Sequence, residues 1–116
     1  MERRFRLTKN EAIKRVRKMG HTYVHRAVVL EALPNQLDQN RIAVIASQSV
    51  GGAVKRNLAK RRIRSILHTF LTDMEPGFDL AVVARKPVLQ EDYDSLRLIV
   101  RTLLEKAGLL KEKVID

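Results

Sequence analysis

Apolar residues recur at helical spacing in three stretches of this chain, and between them apolar runs read as strands. Ala12, Ile13, Val16 and Met19 fall on one helix face, leaving Lys9, Lys14, Arg15, Arg17 and Lys18 toward water or a ligand. Thr8 and Glu11 have the spacing of a capping box, so Thr8 is the expected N-cap and Gly20 the expected stop. Residues 21–33 (HTYVHRAVVLEAL) are rich in β-branched and aromatic types and read as strand. The stretch is long for one strand, and a bend near Arg26 would divide it. A turn at 34–40 and a second apolar run at 41–47 follow. The spacing then predicts a long helix from Ala53 to Asp73, stopped by Pro76-Gly77. Residues 78–85 read as a buried strand broken by Lys86-Pro87. A last helix, about Glu91 to Lys106, carries the stripe Leu96, Ile99, Val100, Leu103, Leu104 and closes on Gly108. Glu91, Asp92 and Asp94 stand at its start, where the helix dipole favours carboxylates.

The pattern predicts an α+β fold. It is one small domain over residues 1–116, in α-β-β-β-α-β-α order, with helices packed on a mixed four-stranded sheet. The core is expected to be aliphatic, because only 4% of residues are aromatic while 45% are apolar.

Charge narrows the function. The net charge is +10, and it is divided unevenly. Residues 1–72 hold 16 Lys and Arg against 4 Asp and Glu, whereas residues 73–116 hold 7 against 9. Such a division points to a polyanionic partner on one part of the chain and a nearly neutral scaffold in the other. The absence of Cys excludes disulfides, zinc ribbons and thiol nucleophiles. No apolar run approaches a membrane span, and the basic N-terminus lacks the apolar segment of a secretory signal, so a cytoplasmic protein is expected.

The segment AVKRNLAKRRIR (53–64) concentrates the charge. On a helix, Ala59, Ile63, Ile66, Leu67 and Phe70 gather on one side and Asn57, Lys60, Arg61, Arg64 and His68 on another. Arg56 borders the apolar stripe on one flank, with Lys55 and Arg62 on the other. Solvated faces ordinarily mix signs, yet no Asp or Glu occurs between Arg41 and Asp73. Arg56, Lys60 and Arg64 repeat every fourth residue and repel one another unless an anion lies against them. The preceding Gly51-Gly52 lets backbone approach a phosphate, and the helix N-terminus aims free N–H groups there. A nucleic-acid contact is therefore expected, with Tyr23 the best exposed stacking candidate and Phe5 the next. Phe70 and Phe78 read as core.

Catalytic machinery is not evident. In an extended strand His21, Tyr23 and His25 would share a face, but no carboxylate lies in the same local stretch. Neither a metal site nor a catalytic residue is expected on the protein itself.

The segment AVKRNLAKRRIR resembles the basic signature of the bacterial ribonuclease P protein subunit, with Ala53, Val54, Arg56, Asn57, Lys60, Arg61 and Arg64 in register. RLTKNEAIKRVRKMG (6–20) resembles that family's opening helix, and DLAVVARKP (79–87) its late strand. The resemblance implies an accessory subunit of a ribonucleoprotein endonuclease that removes the 5′ leader of precursor tRNA. Mg²⁺-dependent hydrolysis would be carried by the partner RNA subunit, with no organic cofactor, and the protein would be a monomer within the holoenzyme. It implies RNA contacts at Arg56, Asn57, Lys60, Arg61 and Arg64, and the flanking Lys55 and Arg62 of the same helix are expected to join them. It also implies a leader cleft between the first helix and the sheet, at Ile13, Arg17, Tyr23 and Ser49. The fold implied is that of the second domain of a small-subunit ribosomal protein, with a left-handed βαβ crossover. Periodicity alone does not show the hand, and the general default is right-handed. The chain departs from the family at Leu58 (Arg in the signature), at Ile13 and Arg17 (commonly aromatic) and at Gln48-Ser49 (often a Lys pair). Two other readings are a small ribosomal or general structured-RNA-binding protein, and a nuclease acting through His21 or His25.

Overall fold

The long apolar stretch after Gly20 is two strands rather than one. The computed structural model describes residues 3–111. Its elements are α1 (Asn10–Met19), β1 (His21–Val24), β2 (Val28–Pro34), β3 (Arg41–Ala46), α2 (Ala53–His68), β4 (Phe78–Ala84) and α3 (Tyr93–Lys106). His25 makes the break between β1 and β2. Its Nδ1 accepts from the Ala27 N–H at 3.0 Å, and its own N–H donates to the Val28 carbonyl at 2.9 Å. The chain reverses there, and Tyr23 pairs opposite Leu30. The observed order is the expected α-β-β-β-α-β-α.

The sheet runs β1-β2-β4-β3, antiparallel except for the β3–β4 pair. Alternation sends Leu30, Ile42, Leu80 and Val82 to one face, where they meet Ala59, Ile63, Ile66 and Leu67 of α2 and Leu96, Val100, Leu103 and Leu104 of α3. This is the main core, and it is aliphatic apart from Phe70, with Tyr23 and Phe78 at its margin. The other face carries Ala43 and Ala81, which with Leu7 bury Val16 of α1.

The β3–α2–β4 connection is left-handed. The side chains of Ile42 and Ala84 both enter the core beneath α2. The Ile42 carbonyl accepts from the Leu7 N–H (2.8 Å) beyond the sheet edge, and the Ala84 carbonyl accepts from the Ser47 N–H (2.9 Å) on the β3 side. On a strand of L-residues running upward, a side chain pointing at the viewer sends its own carbonyl to the right. Seen from α2, β3 therefore lies to the right of β4, against the general right-handed default.

Three local expectations are corrected. Thr8 and Glu11 form no capping box; α1 begins after Lys9 without a side-chain cap. Leu7 is drawn into the edge of β3 and buried, which carries the chain past the position where Thr8 could cap. Gly20 is extended (φ −70°, ψ 157°) and not left-handed. It is needed for space, since a Cβ there would lie 2.5 Å from the Val16 carbonyl oxygen and 3.0 Å from that of Ala32. The α-helical part of 53–73 ends at His68, and Leu71–Asp73 form a 3-10 turn. Gly108, by contrast, has φ +70° and closes α3 as expected, its N–H reaching the Glu105 carbonyl at 3.0 Å.

Gly20→Ala should destabilise the fold by about 1–3 kcal/mol, because both blocking atoms are backbone. Gly52→Ala, where a Cβ meets nothing within 4 Å, is the control. Thermal unfolding should show a loss of about 4–8 °C per kcal/mol for the first and little change for the second.

Candidate nucleic-acid interface

Burial of Ala59, Ile63, Ile66 and Leu67 fixes the rotation of α2, and its basic residues are presented accordingly. Lys55, Asn57 and Arg61 are exposed, while Arg56, Lys60 and Arg64 are half-buried along the flank. Among the described residues, none of these five cations forms an ion pair with a carboxylate. The Nε–H of Arg56 is buried without a hydrogen-bond partner, a donor costing about 1–3 kcal/mol if nothing meets it. Arg56, Asn57 and Lys60 line a depression of about 350 Å³ at the β3 edge, together with Val44, Ile45, Ala46 and Ala53. The first turn of α2 has no side-chain cap, so its N–H groups are open to an acceptor. Gly51 before it has φ +130°, where a Cβ would also meet the Lys55 side chain at 2.9 Å.

Arg62 departs from this set. Its two Nη nitrogens donate to the backbone carbonyls of Val88 and Glu91. It ties α2 to the segment before α3, and so is occupied by the protein itself. Helical spacing placed it on the outer flank of the stripe; it could not show that the chain returns there.

The opposite sheet face forms a groove beside α1. Register aligns Val24, Val29, Val83 and Ile45 into one row across all four strands. Val24 is 62% exposed, Val29 and Ile45 are half-buried, and Val83 is buried. The next row along, Thr22, Glu31, Ala81 and Ala43, lies partly under α1. Ile13 packs beside this second row, and Arg17 reaches Glu31, its Nε 3.2 Å from Oε1. Ile13 and Arg17 therefore do stand between α1 and the sheet. Ser49 is exposed in a 3-10 turn before α2, beyond the end of β3, where its hydroxyl lies 2.6 Å from that of Ser47.

Tyr23 is placed differently from expectation. Alternation puts it on the face of Leu30, half-buried against the main core, so it is not a platform on the α1 side. Glu31 and the aliphatic row were not singled out from the sequence. The available signal was an acid within VVLEALP at a position whose alternation leads under a helix.

Arg41, Asp79 and Asp92 have structural roles. Arg41 grips Asp79 through two hydrogen bonds (2.8 and 2.7 Å), and Asn35 adds a third to the same carboxylate at 2.9 Å. The hydrogen bond to Asp79 holds the Arg41 pKa above its ordinary value. Asp92 caps α3 by accepting from the Ser95 N–H at 2.7 Å, which lowers its pKa. His21 and His25 do not share a strand face, since β1 ends at Val24 and the Nδ1 of His25 is engaged in the turn.

This geometry sits in a chain whose residues 1–108 match the family model described as Ribonuclease P. The chain belongs to the ribonuclease P protein family. It is 38% identical over 107 residues to the ribonuclease P protein component of Dehalococcoides mccartyi, covering 92% of this chain and 88% of the relative. With that of Roseiflexus castenholzii the identity is 35%, over 98% of this chain and 94% of the relative. A solved ribonuclease P protein from Staphylococcus aureus superposes with a TM-score of 0.82 at 27% identity, over 92% of this chain and 98% of that one. One from Thermotoga maritima gives 0.78 at 25% identity, over 87% and 96%. The ribonuclease P reading stands over that of a ribosomal or general RNA-binding protein. Among the described residues of this ribonuclease P protein, no helix is long and apolar enough to cross a membrane.

Arg62→Ala should cost about 2 kcal/mol, since it strips charge-assisted donors from two carbonyls. Arg61→Ala, exposed and unpaired, should stay within about 0.5 kcal/mol of the parent. Urea unfolding of the two variants separates the structural arginine from the presented one.

Proposed function

We propose that this protein is the accessory subunit of a ribonuclease P holoenzyme, binding the RNA subunit with α2 and the 5′ leader of precursor tRNA in the groove beside α1. The observation that carries this reading is the uncompensated cationic flank of α2, which meets the groove at Ile45. That residue ends the aliphatic row and also lines the depression with Arg56, Asn57 and Lys60. One continuous surface can thus touch two RNAs.

Lys55, Arg56, Lys60, Arg61 and Arg64 neutralise phosphates of the RNA subunit, and Asn57 adds a neutral donor and acceptor. The arginines suit bidentate phosphate contacts. Two polyanions that repel are held together when cations lie between them, and this is the protein's contribution to cleavage. Mg²⁺ held by the RNA supplies metal-assisted phosphodiester hydrolysis, leaving the mature 5′ end with its phosphate. Among the described residues no three His, Asp or Glu side chains gather into a metal-binding group. The protein acts as a monomer within a cytoplasmic holoenzyme and needs no organic cofactor.

Adding this protein to its RNA subunit at low Mg²⁺ should raise the rate of leader removal; no rise would refute the assignment. For single-stranded RNA, neutralising about five phosphates gives a log–log salt slope near −3.5. Arg64→Ala should make that slope shallower by about 0.7 while leaving the melting temperature close to the parent's.

A further inference from the structure

Glu31 is an anomaly in an RNA-facing groove. Among the described residues it is one of three buried polar or charged residues, with Asn40 and Asp79, and only 6% of it is exposed. It lies in an apolar strand on the face beneath α1, next to the aliphatic row. A carboxylate there repels phosphate, so binding alone would not place one in the groove. Its partner is Arg17, whose side chain is 50% exposed. The contact uses Nε only. Among the described residues, neither Nη nitrogen of Arg17 makes a hydrogen bond to the protein.

An ion pair of this kind is a weak stabiliser, because desolvating the acid offsets much of the attraction. It is an effective positioner. Arg carries long, mobile torsions, and a bond at Nε fixes the guanidinium plane while leaving the outer edge free for a bidentate acceptor. The floor beside it offers aliphatic side chains and no aromatic ring. Bases can rest on that floor by apolar contact, but the strong, directional group at this wall is the cation.

We propose that Glu31 is a positioning residue that locks Arg17 at the groove wall, so that the Nη pair grips a phosphate of the single-stranded leader. The protein then holds the leader by its backbone at this point, with little regard to base identity. This inference rests on the function proposed above and specifies how the groove works.

The two possible roles of Glu31 predict opposite signs. By Coulomb's law alone, removing the carboxylate tightens RNA binding. If Glu31 positions Arg17, removing it weakens the hold on the leader although the protein becomes more positive. The test uses the reconstituted holoenzyme, with affinities for leader-bearing precursor tRNA and mature tRNA measured across a salt series. Arg17→Ala should cut the preference for the precursor about tenfold, the worth of one charge-assisted hydrogen bond, and make the salt slope shallower by about 0.7. Glu31→Gln should cut it about threefold in the parent and add nothing in the Arg17→Ala background. Arg17→Lys keeps the charge without the fork and should also lose preference; its exposed site protects the fold if Glu31→Gln unfolds. Unchanged or tighter precursor binding by Glu31→Gln, or an equal effect in both backgrounds, would overturn the proposal. Retention of full preference by Arg17→Lys would do so as well. A parent holoenzyme with no preference for the precursor would instead sink the functional reading itself.

Discussion

The packing of α2 against the sheet decides what this molecule can touch. Ala59, Ile63, Ile66 and Leu67 are fully buried, and their burial sets the helix rotation to within a fraction of a turn. Lys55, Asn57 and Arg61 are then exposed, with Arg56, Lys60 and Arg64 half-buried beside them. Like charges at a four-residue spacing oppose helix formation by a few tenths of a kcal/mol per pair, roughly 0.2–0.5 kcal/mol. The apolar stripe outweighs that, at about 1.5–3 kcal/mol for each large side chain buried. The core therefore holds in place a charge arrangement that the isolated helix would resist.

The left-handed crossover completes this placement. It sets α2 over β3 and β4, with α3 over β1 and β2, so the cationic flank runs beside the Val44–Ala46 end of the β3 edge, past the part that Leu7 covers. The same edge borders the α1 groove through Ile45. At that border a neutral seam joins the groove to the cationic rim. Charges already committed within the protein, Arg41 with Asp79 and Arg26 with Glu91, lie apart from the depression at this edge.

Much of this was legible in the sequence, for reasons that differ by element. The α3 stripe is simple 3.6-residue periodicity, and four of its five expected residues are fully buried, with Ile99 at the margin. The signature helix was legible because its charge has one sign over a long interval. Thr8 and Glu11 misled because capping depends on where the preceding chain goes, and Leu7 is pinned to β3 by a contact far along the sequence. Arg62 misled for the same reason: its acceptors are carbonyls 26 and 29 residues away. Tyr23 was misplaced because a strand's alternation gives two faces without saying which one a helix covers. Glu31 needed both the register and the position of α1 before it could be seen as part of a wall.

The strand order carries a consequence for how the chain is made. β4 is the last strand to leave the ribosome, yet it lies between β2 and β3 and pairs with both. Until residues 78–84 emerge, the β1–β2 hairpin and the β3–α2 segment have no sheet contact to join them. The basic helix is thus exposed on an unfinished scaffold before the groove can exist. Insertion of this one central strand closes both layers together, so the groove and the seat of the basic helix are completed by the same strand.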